Sequence, residues 1–335
     1  MTSLKTPPAA VICGLGAALP PRAVPNAELC AELDTNDEWI RTRTGIRERR
    51  IADAGVSTED LAVAAGAAAL ESSGTREVQA LVLATTTPDH LMPATAPAVA
   101  ARLGLTDTAA FDVAAVCTGF VYALATAAGL IATRTARTVL VVGADRMSRL
   151  PSPDDRTTRP LFADGAGAVV LRSGDATEPG ALGPMVLGSD GTHRDLLLAP
   201  HGGHMQMQGP ELFRHAVDRM CSVTRQAVQL AGWRIEDIDR IVPHQANARI
   251  TASVGRCLMI GADRRVQNIG HVGNTGAASI PLALAQASAD GTVLPGHRIC
   301  LTAFGAGLTW GATTVIWPDL KSAAHPHHDT AMERP

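Results

Sequence analysis

Three side chains in this sequence could together perform acyl transfer: the thiol of Cys117, the imidazole of His244 and the amide of Asn274. Cys117 stands between a strand-like run, 109–116, and a long apolar run, 118–131. A cysteine there lies at a helix N-terminus, where backbone N–H groups and the helix dipole favour a thiolate. A packed core cysteine fits the same position. His244 sits in Pro243-His-Gln-Ala-Asn247-Ala-Arg249, after a strand-like run and at the start of a helix. Open α/β sheets place ligands at such strand ends, although a helix-start histidine on the surface is an equal reading. Asn274 lies in Gly270-His-Val-Gly-Asn-Thr-Gly276, whose glycines permit a tight turn into the apolar run 277–289. A helix-capping asparagine would look the same. The small-residue run 303–311, which includes Ala306, follows another strand and either offers N–H donors to an oxyanion or is a plain turn. A thiol, an imidazole, an amide and a donor loop are the components of acyl transfer.

The elements that must position them read as alternating strands and helices. Strand-like runs fall at 9–14, 78–84, 138–142, 168–171, 238–242, 297–301 and 313–316, with helical stretches between them. This pattern predicts an α/β protein with buried, largely parallel strands. An internal repeat is also visible. Gln79-Ala-Leu-Val-Leu83 resembles Asp239-Arg-Ile-Val-Pro243, and Arg137-Thr-Val-Leu-Val141 resembles His297-Arg-Ile-Cys-Leu301, both at an offset of 160. Cys117-Thr-Gly119 and Asn274-Thr-Gly276 each precede an apolar helix, at an offset of 157. Three matches in order predict two related halves. After a tail, 1–8, come a first half, 9–178, carrying the cysteine and a second, 179–320, carrying the histidine and asparagine. The boundary falls near the Gly/Pro-rich stretch 173–182, and 321–335 reads as a disordered tail. His325, His327 and His328 in that tail read as part of a mobile segment rather than as a metal site.

Composition narrows the classes. The chain has 335 residues, 46% of them hydrophobic, and a net charge of -3, which predicts no general affinity for nucleic acid or an anionic membrane. No uninterrupted apolar run reaches membrane-spanning length, and no signal-peptide pattern opens the sequence, so a cytoplasmic location is expected. The six cysteines show no metal-ligand spacing, which fits free thiols in a reducing compartment. Lys5 and Lys321 are the only lysines, so a phosphate site would use arginine forks. The order Cys, His, Asn also occurs in papain-like proteases. Here the cysteine is far from the N-terminus and is followed by Thr-Gly-Phe rather than an aromatic neighbour. A dinucleotide site at Gly14-Leu-Gly16 lacks its third glycine, and Pro20-Pro21 block the required helix.

The sequence resembles the β-ketoacyl-acyl-carrier-protein synthase III family of the thiolase superfamily from about residue 11 to 318. The resemblance is carried by Asp37-Glu-Trp-Ile-Arg-Thr-Arg-Thr-Gly-Ile-Arg-Glu-Arg49, the Cys117 region, Asp164-Gly-Ala-Gly-Ala168, His244-Gln-Ala-Asn247, Gly273-Asn-Thr275 and 304–311. It implies a five-layered αβαβα thiolase-like fold from two duplicated halves, usually homodimeric, that uses a coenzyme A thioester as substrate and needs no cofactor or metal. Cys117 would be the acyl-accepting nucleophile, and His244 and Asn274 would promote decarboxylation of a malonyl thioester. The amides of Cys117 and Ala306 would form the oxyanion hole. Trp39, Arg43, Arg156, Phe213, Ala246 and Asn247 would bind coenzyme A, Trp39 by stacking on adenine. Met92, Leu161 and Phe162 would border the acyl pocket, and Arg214, Arg249 and Arg256 would meet the acidic carrier protein. The plainer alternatives are a core role for Trp39 and a solvated face for Arg43.

Two departures bear on substrate choice. Met92 replaces the phenylalanine that many relatives project from the neighbouring subunit, and Pro210 replaces an asparagine that contacts coenzyme A. The segment 190–209, with His201-Gly-Gly-His204, is unusual and is expected to border the acyl pocket. The expected reaction takes an acyl group from acyl-CoA onto Cys117 and condenses it with malonyl-acyl carrier protein, starting a fatty-acid or polyketide chain. The alternatives are acyl transfer to a hydroxyl or amine without decarboxylation, and a non-catalytic partner of another synthase.

Overall fold

The computed structural model describes residues 6–320. The tail histidines His325, His327 and His328 lie outside them. In chain order the elements that frame the site are strand β1 (Ala9–Ala18), helix α1 (Asp37–Thr44), helix α2 (Thr58–Ser73), β2 (Ala80–Ala84), α3 (Ala96–Arg102), β3 (Ala109–Val113), α4 (Gly119–Ala132), β4 (Thr138–Arg146) and β5 (Asp164–Gly174). The second half continues with β6 (Val186–Ser189), α5 (Gly209–Leu230), β7 (Arg240–Pro243), α6 (Ala248–Leu258), α7 (Ser279–Ala289), β8 (Arg298–Gly305) and β9 (Thr309–Ile316).

The first sheet has the order β1-β5-β4-β2-β3 and the second β6-β9-β8-β7, extended by a parallel bridge from Ile241 to Arg265. Strand for strand these are the same arrangement, so the duplication seen at offsets of 157 and 160 is present in the topology. The layers follow from which faces are apolar. Helix α4, rich in Ala, Val and Leu, and α7, with Ile280, Leu282 and Leu284, are buried together between the two sheets in one large core. Helices α2 and α3 cover the outer face of the first sheet, and α5 and α6 that of the second. The result is the αβαβα order.

The expectation of largely parallel strands is corrected. In the two main sheets of the described residues, three strand pairs are parallel (β2/β3, β2/β4 and β7/β8), and four are antiparallel (β1/β5, β4/β5, β8/β9 and β9/β6). The last two strands of each half return without a crossover helix, and only 306–308 separate β8 from β9. Antiparallel neighbours need no helical crossover.

Buried polar contacts fix the first half around the site. Arg49, fully buried, donates to Val24 O at 2.9 Å and to Pro160 O at 3.1 Å, which ties the segment before Leu161 to the antiparallel pair formed by 23–25 and 48–50. Asp164 accepts from Ala52 N and Ser148 N, each at 2.9 Å. Among the described residues, no helix is long and apolar enough to cross a membrane.

Candidate active site

Cys117 is delivered by a sharp turn. Strand β3 ends at Val113, short of the expected 116, and Val116 adopts a φ of +46° before the 3-10 turn Val116–Thr118 leads into α4. That region is strained for a β-branched residue, and such strain persists only where the surroundings impose it. Here the surroundings are the turn after β8. A side chain on Gly305 would bring its Cβ within 3.0 Å of both Cys117 N and Thr118 N, so the backbone of β8 abuts the nucleophile turn. Thr118 Oγ1 donates to Thr309 O at 3.2 Å, and Thr309 Oγ1 donates to Ala306 O at 3.1 Å. These contacts hold the Cys117 and Ala306 turns together.

Burial pushes the Cys117 thiol up to about 12; the Asp145 carboxylate adds to this and Cys117's own backbone N–H opposes it. The expected helix-tip thiolate is therefore corrected to a neutral thiol, because desolvation outweighs the helix-end field in a buried site. Asp145 is itself pushed up to about 6 by burial. It accepts from Thr86 N at 2.7 Å and from Ala277 N at 2.8 Å, bridging the β2 end to the turn before α7. Gly276 has a φ of +58°, and a Cβ there would meet Asp145 Oδ2 at 2.3 Å. Only glycine fits this approach.

His244 follows the last residue of β7 and is 2% exposed. Its Nδ1 lies 2.6 Å from Ser279 Oγ at the start of α7. With Nδ1 so engaged, Nε2 is the nitrogen left for the cavity. Burial alone holds the imidazole down at about 3, so it is neutral at physiological pH. Asn274 is held from both sides: its N–H donates to Leu161 O and its C=O accepts from Ala163 N, each at 2.9 Å. Asn274 Oδ1 accepts from Gly276 N at 3.0 Å. The amide nitrogen is thereby turned away from its own backbone, free to donate elsewhere.

A stability prediction follows from His244. In the unfolded chain its imidazole protonates near 6.5, whereas in the folded chain it resists protonation until about 3. Protons therefore bind preferentially to the unfolded state in this window, and stability falls as pH drops from about 6.5 toward 3. Asp145, raised from 3.8 to about 6, acts with the opposite sign between those values. Denaturant melts of the native chain and of His244→Ala should differ by a gap that narrows as pH falls through the histidine window. A pH-independent gap would contradict a buried neutral imidazole.

Cys117, His244, Asn274 and Ala306 line one cavity of about 770 Å³. Leu161, Phe162, Phe213, Ala246 and Asn247 line it too, as does much of the segment 197–209, including Met205 and Met207. The other candidates lie outside that wall. Met92 is 81% exposed on its own chain, whereas its neighbour Leu91 borders the cavity. Trp39 is half-buried on α1 and packs against the buried cluster that includes Leu161, Phe162 and Met205; Arg43, in the last turn of α1, is exposed. Arg156 is exposed and donates to Asp34 O at 2.9 Å. Arg214 and Arg256 are exposed, and exposed Arg249 stacks its guanidinium 5.5 Å from the Phe213 ring. Asn247 caps α6, its side chain accepting from Arg249 N at 2.8 Å. Among the described residues, no group of three or more His, Cys, Asp or Glu side chains is placed to hold a metal.

Comparison with known proteins decides the class. Residues 111–191 match the family described as 3-oxoacyl-[acyl-carrier-protein] synthase III, and 228–317 match its C-terminal counterpart. A relative named β-ketoacyl-[acyl-carrier-protein] synthase III 3, from Streptomyces coelicolor, is 52% identical over 92% of this chain and 98% of its own length. The chain belongs to the β-ketoacyl-acyl-carrier-protein synthase III family. It is an acyltransferase of the ketoacyl synthase III type with a thiolase fold. The crystal structure of the 3-oxoacyl-(acyl carrier protein) synthase III of Pseudomonas aeruginosa PAO1 superposes with a TM-score of 0.92, at 50% identity, over 93% of this chain and 99% of that one. The priming β-ketosynthase of the R1128 polyketide pathway superposes with a TM-score of 0.88, at 35% identity, over 95% of this chain and 99% of that one.

Four side chains that contact the site of this synthase were not singled out in the sequence: Ser279, Asp145, Thr118 and Thr309. Each left a trace. Ser279 opens an otherwise apolar helix, and Asp145 is the acidic residue in an apolar strand. Neither trace names a partner without the fold.

Proposed function

We propose that the chain takes an acyl group from acyl-CoA onto Cys117 and condenses it with malonyl-acyl carrier protein, releasing CO₂ and a 3-oxoacyl thioester that primes a fatty-acid or polyketide chain. The observation that carries this reading is the convergence of Cys117, His244 and Asn274 on one largely apolar cavity. In the first half-reaction the Cys117 sulfur attacks the thioester carbonyl. The oxyanion is held by the N–H groups of Cys117 and Ala306, and coenzyme A leaves as its thiol, carrying the proton that Cys117 loses. In the second, the malonyl C–C bond breaks and CO₂ departs. The enolate oxygen receives hydrogen bonds from His244 Nε2 and Asn274 Nδ2, and the carbanion attacks the acyl–Cys117 carbonyl. The thiolate released takes a proton from solvent. A histidine that stays neutral to about 3 donates without adding a charge that would hold the malonyl carboxylate in place. No cofactor enters either step.

By the same reading, Phe213, Ala246 and Asn247 line the pantetheine channel, Trp39, Arg43 and Arg156 lie at the nucleotide end, and Leu161 and Phe162 border the acyl group. Arg214, Arg249 and Arg256 form the face that an acidic carrier protein meets. The working enzyme is cytoplasmic and homodimeric, each subunit being built from the halves 9–178 and 179–320. The test is a panel of acyl-CoA species with malonyl-carrier protein, followed by CO₂ release. Release that requires both substrates supports the reading. Acyl transfer to a hydroxyl or amine with no CO₂ would replace it.

Two residues carry further predictions. Ser279→Ala leaves His244 Nδ1 without its partner, and condensation should slow about tenfold, the equivalent of ~1.4 kcal/mol, with KM little changed. Ser279→Thr, which keeps a hydroxyl, should restore much of the rate. An unchanged rate would remove Ser279 from the account. Met92 projects, in the homodimer, toward the partner's acyl pocket. Met92→Phe should shift competition between long and short acyl-CoA primers toward the short, and an unaltered ratio would refute this placement.

A further inference from the structure

Two thiols that take no part in this chemistry meet between α5 and α6. Cys221 is buried on α5, its thiol 3.9 Å from Val254 O, which lies one turn before Cys257 on the facing helix. Cys257 lies in the last turn of α6 and is exposed. Arg225, one turn along α5 from Cys221, donates from Nη2 to Cys257 O at 2.7 Å and lies 3.5 Å from Cys257 Sγ. A buried thiol, an exposed thiol and a guanidinium thus converge across one helix–helix contact. Neither cysteine lines the cavity that holds Cys117.

We propose that Cys221 and Cys257 are a modification site: a reversible disulfide-forming pair that peroxides oxidise, cross-linking α5 to α6. The chemistry assigns an order. Cys257 is the sulfur that solvent reaches, so it is the one a peroxide meets first. Cys221 is kept as a thiol by burial and by its neighbour Cys257, so it acts second. The Cys257 sulfur attacks the peroxide, the O–O bond breaks, one oxygen stays as a sulfenic acid and the other leaves as water. The Cys221 sulfur then attacks Cys257, the S–O bond breaks, and the hydroxyl leaves as water with the Cys221 proton. Two thiols are oxidised and one peroxide is reduced to two waters. The bond would fix two helices that each carry cavity wall, Phe213 and Met220 on α5 and Ile250 on α6. A lone buried cysteine at position 221 would be simple core packing; the exposed partner and the cation are what packing does not explain.

The experiment uses the full chain carrying Cys117→Ala, so that no cavity thiol competes, treated with a small excess of hydrogen peroxide and digested without reductant. A peptide joining 221 to 257, lighter by two hydrogens than the two thiol peptides together, reversed by dithiothreitol and absent from a Cys257→Ser version, is the expected result. Mapping the unsubstituted chain in parallel guards against a folding defect in the variants. Cys257 recovered as sulfinic or sulfonic acid, or joined to Cys257 of a second chain, while Cys221 remains a free thiol, would overturn the proposal.

Discussion

Cys117→Ala is expected to gain no mass from any acyl-CoA and to lose condensation by on the order of 10³-fold or more, while folding normally. The size of the effect follows from covalency. Cys117 is the only described sulfur that lines the cavity beside His244 and Asn274 apart from the thioethers of Met147, Met205, Met207 and Met220, which cannot carry a transferable acyl group. Removing it deletes the acyl carrier rather than weakening a contact. The substitution removes one small buried atom, so thermal unfolding should shift little. Intact-mass measurement after incubation with acyl-CoA reads the effect directly. A mass gain that survives the substitution would place the acyl group on another residue and remove Cys117 from the mechanism.

The second large effect separates the half-reactions. His244→Ala and Asn274→Ala should each still take up acyl from acyl-CoA, yet release CO₂ from malonyl-carrier protein about 10²- to 10³-fold more slowly, the cost of losing one preorganised donor to an enolate. The acyl-enzyme should then accumulate. The geometry argues for two donors rather than a donor and a base. Nδ1 of His244 is occupied by Ser279, and Oδ1 of Asn274 by Gly276 N–H, so each side chain is left with a nitrogen to present. Because both groups act on one oxygen, the double variant should lose less than the product of the single losses. Equal loss of acylation and condensation in either variant would contradict the division of labour. Rapid-quench measurement of acyl loading and of CO₂ release, on the same preparations, provides both rates.

The parts legible in the sequence are those whose chemistry is rare at their position. A cysteine, a histidine and an asparagine, each at the junction of an apolar strand or loop with a helix, mark themselves, and the Thr-Gly shared by Cys117 and Asn274 marks the duplication. The two buried helices were legible because their runs are apolar on nearly every face, which leaves no side for water. Strand direction was not legible. Apolar runs such as 168–171 read alike whether the neighbour is parallel or antiparallel, and the turn 306–308 that decides the β8–β9 pair was read for its donors rather than its topology. The charge state of Cys117 was also misread, because a helix tip argues for a thiolate whereas the depth of burial and the nearness of Asp145 are properties of the assembled fold. Ser279, Thr118 and Thr309 are common residues whose importance lies only in what they touch.

The central claim is that Cys117 holds an acyl group between two half-reactions. It is tested most directly by isolating the loaded protein. The chain is incubated with isotopically labelled acyl-CoA, freed of all coenzyme A species, and then mixed with malonyl-carrier protein alone. The account predicts that the label leaves the protein and appears in 3-oxoacyl-carrier protein, one label for each CO₂ released. A loaded protein that keeps its label, or one that releases CO₂ without transferring it, would contradict the account.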